Sequence, residues 1–106
     1  PVPSRMCAVR QATVRRKVQD LQARVVSLRA EAAVLREQIE VIDAEVEDLR
    51  IRAVVSETPL AVKEHAEAAK HAQLAHRALR ECLEQIARAE SDRDQLLGEV
   101  TMEAQG

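Results

Sequence analysis

With 106 residues, no Phe, Tyr or Trp, and only 2 Gly and 3 Pro, the chain has room for one domain and little material for turns. Without glycine turns or β-branched runs of period two, a globular α/β domain is excluded, and any core must come from Leu, Ile, Val, Ala, Met and Cys. Charged residues make up 32% of the chain, yet the net charge is only −2.

No apolar run approaches the roughly 20 residues that a membrane span needs. Pro1 to Arg10 lack the apolar stretch and small-residue cleavage site of a signal peptide. A cytoplasmic protein that makes no membrane contact is therefore expected. Arginine outnumbers lysine by thirteen to three, a coding bias that suits a GC-rich, bacterial source.

The first helix is expected over about 10–54, on an unbroken three-four repeat: Val14, Val18, Leu21, Val25, Leu28, Ala32, Leu35, Ile39, Ile42, Val46, Leu49 and Ala53. None of these is polar. A repeat averaging 3.5 residues keeps one stripe facing a partner helix, which is the seam of a left-handed coiled coil. At 1.5 Å per residue such a helix is on the order of 65 Å long, so it must lie against another long helix.

The break is expected at about 55–58. Thr58 suits the N-cap and Pro59 the first helical position, where a missing N–H costs nothing; Ser56 is an alternative cap. The turn contains no Gly, and Val54 and Val55 are expected to close the apolar end of the hairpin.

The second helix, about 59–104, repeats the three-four spacing through Ala61, His65, Ala68, Ala72, Ala75, Leu79, Cys82, Ile86, Ala89, Arg93, Leu96 and Val100. Ala61, Ala68, Ala75, Cys82 and Ala89 recur every seven residues, and small side chains let two helices approach closely. Charge supports an antiparallel fold-back independently. Residues 1–36 carry eight basic and two acidic side chains, residues 37–57 two and seven, residues 58–80 four and two, and residues 81–106 two and seven. Folding near Ser56 sets the basic beginning beside the acidic end, whereas a parallel pair of first helices would stack like charges. The expected fold is all-α, a single antiparallel two-helix coiled-coil hairpin over 1–106 that can pair into a four-helix bundle.

No catalytic, cofactor-binding or metal-ligating set is expected. The chain has no phosphate-binding glycine loop, and Ser4, Ser27, Ser56 and Ser91 lack an acid-base partner. His65, His71 and His76 do not have the i, i+4 spacing of a helical zinc pair. His65 reads as a polar seam residue near the turn. Cys82 reads as a buried small residue facing the region of Ala32. Cys7 is too far from Cys82 for an intrachain bridge, and any link it makes between chains is expected to be an artefact. Arg93, the one seam charge apart from the histidine, reads as a polar layer that fixes register, with Glu90 beside it and Asp20 and Arg24 opposite.

Two surfaces remain as candidates for function. Val26, Val34 and Val41 on the first helix, with Val62, Ala69, Leu83 and Leu97 on the second, are apolar residues off the seam, and helices with such widened faces bury them in bundles. They suggest a protein partner or a homodimer. Arg10, Arg15, Arg16 and Lys17 offer a local anionic contact, although Glu90, Asp92, Asp94, Glu99 and Glu103 are expected nearby and no aromatic is present to stack on bases. The sequence thus reads as a non-enzymatic interaction or adaptor protein without cofactor or small-molecule substrate. The alternatives are a nucleic-acid-associated regulator using the basic patch, or a small secretion-system hairpin, chaperone or substrate.

Overall fold

A computed structural model describes the backbone of residues 2–105 and the side chains of residues 7–102. The chain is two helices, α1 (Val2–Ser56) and α2 (Pro59–Gln105), with no strand among the described residues. They pack on each other as an antiparallel helical hairpin. Relative to expectation α1 starts earlier and runs two residues further, so only Glu57 and Thr58 join the helices.

The turn works without glycine. Glu57 itself takes the left-handed conformation (φ 54°) and its N–H donates to the Ala53 carbonyl at 3.1 Å, capping the end of α1. A residue with a Cβ costs roughly 1–2 kcal/mol there. Thr58 starts α2 as expected: its hydroxyl accepts the Ala61 N–H at 3.2 Å, and Pro59 occupies the first helical position. Ser56 is not a cap. It ends α1 and donates its hydroxyl to the Arg52 carbonyl at 2.7 Å. Val54 and Val55 do not close the apolar end either; they are 64% and 78% exposed. The seam phase explains this, since its last member is Ala53 and the next two residues rotate away from α2 by about 100° each.

Every expected seam position, twelve on each helix, is buried or half-buried. On α1 the only other residue that is not exposed, among the described side chains, is Gln11. The hairpin divides into two compact units, Pro1–Arg29 with Glu84–Gly106 (unit 1) and Ala30–Leu83 (unit 2). In unit 1 the buried residues are Val14, Val25, Leu28, Ile86 and Ala89; in unit 2 they are Ala32, Ile39, Ala72 and Cys82. Cys82 is buried, as expected, and Ala32 is buried in the same unit. Cys7 is exposed, and neither cysteine is in a disulfide.

Candidate functional site

The polar contacts between helices show how the flanks of each seam are arranged. In unit 1, Arg29 donates to Glu90 at 3.0 Å, Arg24 to Gln85 at 3.1 Å, and Arg93 to Gln22 at 2.7 Å. Arg93 also holds Asp94 at 3.0 Å, lies 3.9 Å from Glu90, and has a side chain only 19% exposed. It is a polar layer in the seam, but its partner across the interface is Gln22, not Asp20 or Arg24. Asp20 instead lines an open groove of about 490 Å³ with Lys17, Leu21, Asp92, Gln95, Leu96 and Glu99. In unit 2, His76 Nε2 meets the Asp43 carboxylate at 3.0 and 3.1 Å. Glu47 and Arg50 pair at 2.7 Å along α1, and that hydrogen bond holds the Glu47 carboxyl below the usual carboxylate range. His65 is half-buried in the seam and His71 is exposed.

These pairs locate the off-seam apolar residues. Val62, Ala69, Leu83 and Leu97 each follow a seam residue of α2, and so do His76 and Glu90. Asp43 and Arg29 follow seam residues of α1. In each unit the α2 stripe therefore runs along the edge where helix meets helix through Arg29–Glu90 or His76–Asp43. Val62, Leu83 and Leu97 are 54%, 38% and 45% exposed, and Ala69 is half-buried.

Val34 and Val41 lie elsewhere. They sit two residues past a seam position, about 130° round the helix from the middle of the seam, on the side facing away from α2. Within unit 2 they do not share a face with Val62, Ala69 and Leu83. In unit 1, Val26 is exposed and lies toward the same edge as Leu97. Within unit 2 the off-seam apolar residues thus lie on two surfaces, Val62, Ala69 and Leu83 along the edge and Val34 and Val41 on the outer side.

The outer surface of α1 in unit 2 holds a pattern that the seam periodicity does not single out. Ala30, Val34, Val41, Ala44, Ile51 and Val55 fall on a second three-four repeat, interrupted only by Glu37 and Asp48, and all are exposed. Its signal is present in the sequence, half a turn out of phase with the stronger seam.

Arg10, Arg15, Arg16 and Lys17 are all exposed. Three consecutive helical residues span about 200°, so Arg15, Arg16 and Lys17 fan around α1 rather than forming one patch. Lys17 shares its groove with three carboxylates. Arg15 and Arg16 form no ion pair among the described residues. The expected neighbour Glu103 has its side chain outside the described residues.

No group of three or more metal-ligating side chains comes together among the described residues, and no helix is long and apolar enough to cross a membrane. Comparison with known protein families, with characterised proteins and with solved structures finds no match.

Proposed function

We propose that this hairpin is a non-catalytic coiled-coil interaction module, an adaptor whose partner is another protein. The observation that carries this reading is the set of exposed aliphatic side chains at helical spacing outside a fully occupied seam. They stand outside the seam, and Val34, Val41 and Val62 are each more than half exposed. Single exposed aliphatic residues need no explanation, but runs with a three-four repeat match the way helices are recognised by helices.

Photo-crosslinking from position 41 or 83 of the full chain in its native cells tests this. Protein adducts from position 41 that disappear when Ile51 is changed to Asp, or from position 83 that disappear when Val62 is changed to Asp, support the adaptor reading. Recovery of nucleic acid with no protein would end it.

A second reading rests on Arg15 and Arg16, which are exposed and form no ion pair among the described residues. They would bind nucleic acid in a salt-sensitive way, and the Arg15→Ala, Arg16→Ala, Lys17→Ala variant would not bind it. Their fanned placement and the carboxylates around Lys17 favour the protein partner, because phosphate binding requires an uncompensated positive field.

A further inference from the structure

We propose that the outer face of α1 between Ala30 and Val55 is the docking surface for one basic amphipathic helix of another protein. The proposal rests on the adaptor reading and names the partner's chemistry and its place on the hairpin.

Two features of this face coincide. Its middle is aliphatic: Val34, Val41, Ile51 and Val55 are 52%, 69%, 49% and 78% exposed, with Ala30 and Ala44 completing the repeat. Its borders are acidic. Glu40 and Glu47 lie on one side, Glu31 and Glu45 on the other, and Glu37 and Asp48 within the stripe, all exposed. Arg52 is the one basic residue on these two borders; Arg36 and Arg50 lie at the edge nearer α2, from which Arg50 reaches Glu47. A helix that lays aliphatic side chains into this stripe would place its flanking residues beside carboxylates on both borders. Basic flanks are attracted there and acidic flanks are repelled.

A second copy of the chain does not meet that requirement. The same face of another copy brings carboxylates against carboxylates. The basic start of α2 carries Lys63, Lys70 and Arg77, but Leu60 and Leu74 on that surface are separated by Glu67 and make no continuous stripe. The basic third of α1 presents Thr13, Arg16 and Asp20 at the equivalent positions. The chemistry points to a partner that is aliphatic along one side and rich in Lys or Arg beside it.

The test uses the full chain and three synthetic 21-residue peptides: a helix with Leu at three-four spacing flanked by Lys, the same helix with Glu in place of Lys, and the Leu–Lys composition in scrambled order. Binding is read by fluorescence anisotropy at two salt concentrations, and the site by NMR shifts. The Leu–Lys helix is expected to bind at least about tenfold more tightly than either control, with shifts confined to residues 30–55, weakening as salt rises. The Val41→Lys, Ile51→Lys variant, whose changes are at exposed positions and whose helicity circular dichroism checks, should lose that binding. Equal binding of all three peptides, shifts centred on Leu83 instead, or an unaffected variant would overturn the proposal. The adaptor reading would survive that result, because it fails only when native crosslinking returns no protein partner.

Discussion

The two units close their seams with different materials. In unit 2 large side chains of α1, Leu35, Ile39, Ile42, Val46 and Leu49, meet an α2 seam of Ala61, Ala68, Ala72 and Ala75 with His65, Leu79 and Cys82. In unit 1 the α2 seam is bulkier, Ile86, Leu96 and Val100 with Ala89, and carries the Arg93 layer. Large against small favours close approach of the helices. Large against large buries more area per residue but specifies position less, and there a charged side chain bonded to Gln22 marks the register. Unit 2 takes its register from the two-residue turn instead, with Thr58 and Glu57 fixing where one helix stops and the next begins.

On that contrast, removing bulk should hurt most in unit 1 and adding bulk should hurt in unit 2. Ile86→Ala leaves a cavity in the interior that also holds Val25, the one fully buried large side chain of the described residues. It should lower stability by about 2–4 kcal/mol in urea titration. Ala72→Leu overpacks the close side of unit 2 and should cost about 1–3 kcal/mol; if it stabilises instead, the alanine seam is not closely packed.

The turn offers a finer pair. Thr58→Ala removes the N-cap acceptor and should cost about 1 kcal/mol. Glu57→Gly relieves the left-handed residue and should raise stability by roughly 0.5–1 kcal/mol. Both are read from thermal unfolding under the same conditions, and the opposite signs are the prediction.

Arg93→Leu has the smallest expected effect on stability. Replacing a partly buried charge by an apolar residue is often neutral or favourable, so its melting temperature should hold or rise. The loss should appear in register: distances between labels on the two helices of unit 1 should broaden into more than one population. A large destabilisation with a single sharp distance would show that Arg93 contributes energy and not specificity.

Most of the fold is legible in the sequence because an antiparallel coiled coil writes its interior into residue spacing. Val14 through Ala53 and Ala61 through Val100 need no tertiary information, since one stripe per helix is buried and each seam residue reveals the next. Thr58–Pro59 is legible as local chemistry. Glu57 is not, because nothing in a Glu announces a left-handed backbone; the conformation is imposed by the two helices that must meet there.

The partner of Arg93 is not legible either. Across an antiparallel interface a shift of one or two residues exchanges one opposing side chain for another, and the guanidinium reaches Gln22 rather than Asp20. The surface residues share this limit. Val34 and Leu83 are both apolar and both off the seam, and only the pair His76–Asp43 shows which side of unit 2 each residue joins. The expectation that a hairpin tip is apolar inside points Val54 and Val55 inward, whereas the seam phase has already turned them out.

The central claim is that one chain folds back on itself in this register, leaving the outer face of α1 in water. Spin labels at Asp43→Cys and His76→Cys, in a Cys7→Ser, Cys82→Ala background, test it most directly by pulsed electron paramagnetic resonance and continuous-wave broadening. The account predicts a single short separation, adjacent across the helix pair, that is unchanged when labelled protein is diluted into an excess of unlabelled chain. A long separation, or a short one that vanishes on dilution, would contradict it, because the two positions would then meet only between chains.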